Sequence, residues 1–302
     1  MRKPFLPSRP PLPKSSSLKL FSPAKINLFL NILSKRPDGY HNLETLFERI
    51  DLGDEIILKK KPSGVFLRVS SSDVPKNGTN LAFKAAELVR RECGIKKGVE
   101  ITLKKRIPVS AGLGGGSSNA ATVLLGLNRL WRLRLTKQKL LNMASKLGSD
   151  VPFFVLGTPF ALGRGRGEIL RPVRGIQKKL WHCLVKPSFG IATKDAYKGL
   201  PKARLTGQKS DVRMLVRALK TGDLECLSNL LTNSLELSVN KRLRIIYKIK
   251  KKLVSEGALA SLMSGSGSTV FGVFSSEKNA RNAARNLKQK NRHWQVFVAS
   301  TY

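Results

Sequence analysis

The residues best suited to chemistry lie in one glycine-rich run: Pro108, Val109, Ser110, Ala111, Gly112, Leu113, Gly114, Gly115, Gly116, Ser117 and Ser118. The four glycines have no Cβ, so the backbone can take positive φ and another group can sit directly against it. Ser117 and Ser118 are N-cap residue types. Behind them Ala120, Val123, Leu124, Leu127, Leu130 and Trp131 recur at a helical period. A glycine-rich turn entering a helix aims unpaired N–H groups and the positive end of the helix dipole at one point, which suits a phosphate. The familiar phosphate loops do not fit. A P-loop places Lys directly after its last Gly, and here Ser117 stands there. A dinucleotide fingerprint needs Gly at its sixth position and an acid about 20 residues on, but the sixth position is again Ser117 and the next acid is Asp150. The His-Arg-Asp and Asp-Phe-Gly signatures of protein kinases are absent.

Asp150, in Gly148-Ser-Asp-Val-Pro152, is the one carboxylate between Glu100 and Glu168. It is a candidate proton acceptor, although an Asp shortly before Pro also serves as a turn or N-cap residue. Lys25 stands in an apolar strand, where a strand-end lysine laying its stem on apolar surface is the alternative reading. His41, in Gly39-Tyr-His-Asn42, is the only His before residue 182 and reads as a surface or packing residue as readily as a catalyst.

The elements that must position these residues follow from the patterning. Globular sequence starts near Phe21. Ile26, Leu28 and Leu30 alternate with Asn27, Phe29 and Asn31, a strand with one wet face that puts Lys25 and Asn27 on the same side. Arg36-Pro-Asp-Gly39 is a turn. Further strands fall at 56–60, 66–70 and 99–103, the last leading into the glycine run. Asn80 to Cys93 reads as a helix, and Thr136 caps another that Gly148 ends. The second half reads as a strand near 181–185, helices between Asp211 and Glu256, and a Gly/Ser turn at Ser264–Ser268. A strand at 270–274, a helix at 278–288 and a strand at 294–299 complete it. This irregular alternation indicates an α+β fold. A domain boundary is expected between Gly167 and Lys186, where Gly, Pro and charge accumulate.

A length of 302 residues accommodates one large domain or two ordinary ones, and 41% hydrophobic residues exclude a disordered chain. The longest apolar candidate, Val151 to Leu162, is broken by Gly157, Thr158 and Pro159, so no membrane partner is expected. Cys93, Cys183 and Cys226 are odd in number and far apart, which gives no metal spacing and suits a reducing cytoplasm. The net charge of +37 invites a nucleic-acid reading. Yet Lys and Arg are spread along the whole chain, without an RNA-recognition aromatic pattern, zinc finger or basic zipper. No specific nucleic-acid partner is expected, and nothing in the sequence sets an oligomeric state. Residues 1–20, rich in Pro, Ser, Lys and Arg and free of acid, read as a disordered basic extension. Their composition is also that of a transit peptide, so plastid-type import stands as the alternative to a bacterial cytoplasmic location.

Ser22-Pro-Ala-Lys-Ile-Asn-Leu28, Arg36-Pro-Asp-Gly-Tyr-His41, the run Pro108 to Ala121, Gly148-Ser-Asp-Val-Pro-Phe153 and Ser264-Gly-Ser-Gly-Ser-Thr269 together resemble, in order and spacing, the GHMP small-molecule kinases. The resemblance covers roughly Phe21 to Ala299. It implies an α+β fold of two domains with the active site in the cleft: a ribosomal protein S5 domain 2-like N-terminal domain over 21–170 and a ferredoxin-like C-terminal domain over 171–302. It implies ATP as phosphoryl donor, bound on Pro108 to Ser118, with Mg²⁺ held mainly through the ATP. It gives Asp150 and Lys25 the catalytic roles, Asn27, Tyr40, His41 and Tyr197 the acceptor site, and Ser264, Gly265, Ser266 and Gly267 a third-motif loop closing over the site. Within the family, the Ser-Pro-Ala-Lys-Ile-Asn opening and the Asp-Gly-Tyr-His turn are similar to the branch that phosphorylates a cytidyl-diphosphate-linked methylerythritol in non-mevalonate isoprenoid synthesis. A homoserine- or mevalonate-type acceptor is the alternative inside the family. A basic nucleic-acid-binding protein on an inactive kinase scaffold is the alternative outside it. Some members carry a metal-assisting Glu beyond the loop; this chain has no acid from Asn119 to Ser149.

Overall fold

The apolar run after Phe21 needs cover on both faces, and two stacked sheets with their helices provide it. In the computed structural model, which describes residues 16–198, 211–237 and 243–302, β1 (Ser17–Lys35) pairs antiparallel with β2 (His41–Lys61) through the turn at Arg36–Gly39. Among the described residues a seven-stranded sheet forms when β3 (Val65–Val69), β4 (Gly98–Lys104), β5 (Phe160–Arg164), β6 (Ile169–Pro172) and the short β8 (Thr232–Asn233) join them. Helices α1 (Leu81–Glu92), α2 (Gly115–Leu130), α3 (Lys137–Leu147) and α4 (Val151–Leu156) bury Ala85, Val89, Leu124, Leu127, Met143 and Phe153 against Ile56, Leu58 and Ile101 of this sheet. Asn80 and Thr136 cap α1 and α3 by accepting from Ala82 N and Lys139 N.

The second sheet comprises β7 (Trp181–Lys186), β9 (Ala260–Met263), β10 (Val270–Phe274) and β11 (Gln295–Ser300) in the order β11-β7-β10-β9, every pair antiparallel. Helices α8 (Leu243–Ser255) and α9 (Glu277–Lys290) lie in its two crossovers, giving the ferredoxin-like topology that the resemblance implies. They cover one face, packing Ile246, Ile249, Ala283 and Leu287 on Cys183, Val185 and Val270. The other face presents Leu184, Phe271, Val273 and Ala299 to Ala24, Ile26, Leu28, Leu46 and Ile50 of the first sheet. Between β7 and β8 run α5 (Thr193–Lys198), α6 (Val212–Thr221) and α7 (Leu224–Leu230).

This stacking corrects three sequence expectations. The strand over 26–31 has no wet face: residues 22–32 are all buried, because the second sheet covers one side and the other faces the cleft. The fold begins before Phe21. Ser17–Leu20 belong to β1, and Leu20 packs where a Cβ on Gly126 would come within 2.5 Å of its side chain; residues 1–15 lie outside the described residues. A boundary at 170/171 would cut β6, which still pairs with β5; the chain passes to the second sheet over 173–180.

Polar contacts lock the two sheets together. Glu48 of β2 and His182 of β7 are fully buried, 3.0 Å apart, and Thr301 donates to the same Glu48 oxygen at 2.6 Å. Asp51 accepts the Ser300 backbone N–H and hydroxyl at 2.7 and 2.6 Å. A second cluster sets the start of the glycine loop. The fully buried Asp54 accepts from Arg106 N and Ile107 N on one oxygen, and from Lys105 Nζ (2.5 Å) and Asn119 Nδ2 (2.9 Å) on the other. β2 thereby holds both ends of the loop, its entry at 105–107 and its exit in the first turns of α2. Replacing Asp54 by Ala leaves a nearly buried lysine without its counter-charge and is expected to cost about 3–5 kcal/mol of stability. Urea unfolding of Asp54→Ala checks this, and a loss below about 1 kcal/mol would contradict the clamp.

Candidate active site

The glycine loop is built by close approach. Gly112 (φ +74°) and Gly114 (φ +67°) hold conformations that L side chains avoid. A Cβ on Gly112 would lie 2.0 Å from the Ser264 carbonyl oxygen, so the loop of one domain rests on the third-motif turn of the other. Ser264 Oγ donates to the Gly112 carbonyl at 3.0 Å, and Thr269 N donates to the Ala111 carbonyl at 3.2 Å. Helix α2 starts at Gly115, with Gly114 at the cap position and no side-chain cap. Ser117 and Ser118 therefore lie inside the first turn and cap nothing. The N–H groups of Gly115, Gly116 and Ser117 are left without helical partners, whereas that of Ser118 donates to the Gly114 carbonyl at 2.9 Å. Pro108 through Ser117 line a cavity of about 590 Å³. Ser118 does not reach it: its hydroxyl is fully buried, 2.8 Å from Ser22 Oγ. Lys105 points its ammonium over the loop, and a Cβ on Gly115 would sit 3.3 Å from it.

Lys25 lies directly under the loop. Its backbone N–H donates to the Leu113 carbonyl, and its side chain, only 5% exposed, passes Gly114 and Phe154. Nζ donates to Asn27 Oδ1 at 2.6 Å and stands 3.6 Å from Asp150 Oδ2. Asn27 is oriented in turn: its Nδ2 donates to Thr45 Oγ1, which donates to the Phe29 carbonyl. Burial holds the Lys25 ammonium below the usual lysine range, and the Asp150 charge opposes that shift. Asp150 occupies the N-cap position of α4, yet its side chain makes no cap hydrogen bond. The turn-or-cap reading accounts for its backbone only; its carboxylate faces Lys25 and the cavity.

A second cavity, of about 930 Å³, opens beyond Asp150 and is lined by Tyr40, His41, Tyr197, Ser149 and Arg166. The His41 and Tyr197 rings stack at 5.1 Å and 29°. Burial, reinforced by the Asp150 charge, pushes the Tyr197 phenol up to about 12, and burial lowers His41. Tyr40 is 55% exposed, with the Arg166 guanidinium 4.9 Å from its ring centre. The cavities meet at Leu43, Ser117, Asp150, Arg166, Thr193 and Tyr197. Of the third motif, Gly265 and Ser266 line the first cavity; a Cβ on Gly265 would touch Lys25 Nζ and Asn27 Oδ1 at 3.2 Å. Ser264 and Gly267 stand behind them, Gly267 donating its N–H to the Ser264 carbonyl. Sequence reasoning missed Thr45, Asp54, Lys105 and Arg166. Lys105 carries a signal, a base between the strand predicted at 99–103 and the loop; Asp54 and Thr45 carry none. Among the described residues no cluster of three His, Cys, Asp or Glu is arranged to hold a metal, and no helix is long and apolar enough to cross a membrane.

A helix N-terminus with unpaired N–H groups, facing a buried lysine and its partner aspartate across a domain cleft, suits a phosphotransferase acting on a small molecule. Comparison with known proteins agrees: residues 80–158 match the family described as GHMP kinases N terminal domain, and residues 215–293 match GHMP kinases C terminal. The chain belongs to the GHMP kinase family. It is 43% identical over 271 residues to the 4-diphosphocytidyl-2-C-methyl-D-erythritol kinase of Alkaliphilus metalliredigens (strain QYMF), covering 89% of this chain and 92% of the relative. A crystal structure of 4-(cytidine 5'-diphospho)-2C-methyl-D-erythritol kinase superposes with a TM-score of 0.81 at 34% identity, over 94% of this chain and 98% of that one. A homoserine kinase from Cytophaga hutchinsonii superposes at 0.73 with 21% identity, over 98% and 97% of the two chains, a likeness of fold.

Two predictions follow from this geometry. Gly112→Ala places a side chain at positive φ and against the Ser264 carbonyl, and is expected to cost more than about 2 kcal/mol of stability. Gly116→Ala meets only Leu81 at 3.5 Å and is expected to fold like the parent; thermal unfolding of the two variants separates them. Lys25 deprotonates below the 10.5 of an ordinary lysine, so activity that needs its charge falls as pH rises, with the midpoint of the fall below 10.5. The stability term has the opposite sign. The burial penalty is full while Lys25 is charged, and it is relieved as pH rises through the lowered value toward 10.5. A pH profile of kcat/KM whose alkaline limb lies at or above 10.5 would overturn burial as the dominant influence.

Proposed function

We propose that the chain transfers the γ-phosphoryl group of ATP to the 2-hydroxyl of 4-diphosphocytidyl-2-C-methyl-D-erythritol, giving the 2-phosphate and ADP, a step of non-mevalonate isoprenoid precursor synthesis. The observation that carries it is the junction of the two cavities at Asp150, with the glycine loop on one side and the His41–Tyr197 ring pair on the other. ATP lies with its phosphates on the free N–H groups of Gly115 to Ser117, near the Lys105 ammonium. Mg²⁺, held mainly through the ATP, would supply neutralisation of phosphate charge. Phosphoryl transfer asks the protein mainly for position and charge stabilisation. Asp150 accepts the proton of the attacking hydroxyl as the new P–O bond forms. Lys25, fixed by Asn27, stabilises the charge developing on that oxygen. The rings of Tyr40, His41 and Tyr197 offer stacking area for a cytosine, which neither mevalonate nor homoserine would use. The relatives named above support this acceptor through their names and their near-complete overlap with the chain.

Asp150→Asn is expected to lower turnover by about 10²- to 10⁴-fold with the fold intact, measured by ADP release alongside circular dichroism. Unchanged turnover would remove Asp150 from proton transfer. ADP release with the cytidyl acceptor, mevalonate and homoserine in parallel tests the acceptor, and the phosphorylated product is identified by mass. Preference for mevalonate or homoserine would overturn it.

A further inference from the structure

Arg166 stands at the tip of the β5–β6 hairpin, between Gly165 (φ +69°) and Gly167 (φ +106°). The tip is fixed to β2: Leu43 N donates to the Gly165 carbonyl at 2.8 Å, and a Cβ on Gly167 would meet the Phe47 ring at 3.5 Å. Glu168 accepts the Arg166 backbone N–H at 2.6 Å and faces its Nε at 3.5 Å, while the Tyr40 ring lies under the guanidinium. Neither terminal guanidinium nitrogen has a hydrogen-bond partner among the described residues. A two-pronged donor is therefore held by its stem, with its prongs free at the place where the donor and acceptor cavities meet.

The acceptor proposed above has three parts in fixed order: a base, a diphosphate and a branched polyol. With the base on the ring cluster and the hydroxyl at Asp150, the diphosphate must cross the space between them. Arg166 is the part-buried cation on that path, whereas Lys35, Lys194 and Lys198 on the same cavity are exposed. We propose that Arg166 binds the acceptor's diphosphate and so selects a nucleoside-diphosphate-linked alcohol over a neutral one. The inference rests on the acceptor reading. A guanidinium offers paired N–H groups matched to phosphate oxygens. The ring beneath it and Glu168 beside it reduce the conformational freedom lost on binding.

The test is steady-state kinetics of the parent, Arg166→Ala and Arg166→Lys with ATP–Mg²⁺ and the cytidyl acceptor, together with calorimetric binding of CDP and cytidine. Arg166→Ala is expected to raise KM for the acceptor by about 10- to 100-fold, with the loss in KM rather than in kcat or KM for ATP. CDP binding should weaken by a similar factor and cytidine binding by less than about twofold. Arg166→Lys should fall between, keeping the charge and losing the fork. Equal weakening of CDP and cytidine, an unchanged acceptor KM, or a loss confined to ATP would overturn the proposal. A parent enzyme that binds CDP but leaves the acceptor unphosphorylated would overturn the acceptor reading instead, and the CDP-to-cytidine comparison would still decide the role of Arg166.

Discussion

An ammonium group 5% exposed, at the bottom of a cleft, is the constraint around which the site is arranged. A charge taken out of water has to be met by oriented acceptors. Asn27 supplies one, Thr45 and the Phe29 carbonyl fix Asn27, and Asp150 supplies the counter-charge. The space Lys25 occupies forbids side chains around it. Gly114 and Gly265 would each place a Cβ within 3.2 Å of its atoms. The glycines of the first and third motifs thus do more than supply loop conformations. They let two backbones close on one buried lysine.

The same contact explains why the site needs both domains. The Ser264 carbonyl presses on Gly112, and Asn233 Nδ2 in β8 donates to the Gly265 carbonyl, holding the third-motif turn from the first sheet. The two sheets share an apolar layer backed by the Glu48–His182–Thr301 cluster, so the cleft is the seam of one packed body. The positive charge shows no comparable focus. Exposed cations such as Arg132, Arg134 and Lys139 lie on the α2–α3 connection and helix α3 of the first sheet, and Lys248, Lys251, Arg281 and Arg285 on the helices of the second. An excess distributed this way attracts polyanions weakly at physiological salt.

What could be read from the sequence was local. The helical period after the loop, the helix starting at Asn80, the cap at Thr136 and the shared side of Lys25 and Asn27 all rest on neighbours within a few residues. The failures were non-local. Alternation at 26–31 suggested a wet face because polar residues alternate with apolar ones, yet Asn27 is buried against Lys25 and Thr45, and Asn31 against Ser234. Ser117 and Ser118 looked like caps because their type fits. Three glycines before them let the helix start earlier, at Gly115, and Ser118 turns into the Ser22–Asn119–Asp54 network. The domain boundary was expected from Gly167 onward, but Gly167 closes a hairpin whose tip residue, Arg166, lines both cavities.

By itself the sequence determined a helix whose N-terminus suits a phosphate and the alternation of strands and helices, which depend on residue type, period and order along the chain; the pair Lys25 and Asp150 came from the family resemblance. Only the tertiary structure decided that Asp150 leaves its cap unmade and turns to Lys25, that Ser118 is withdrawn from the loop, that Lys105 stands over the loop and that Arg166 stands where the two cavities meet. Each of those depends on which buried charge finds which partner. Coulomb attraction and the cost of an unmet polar group act through space, between residues that sequence separation keeps far apart.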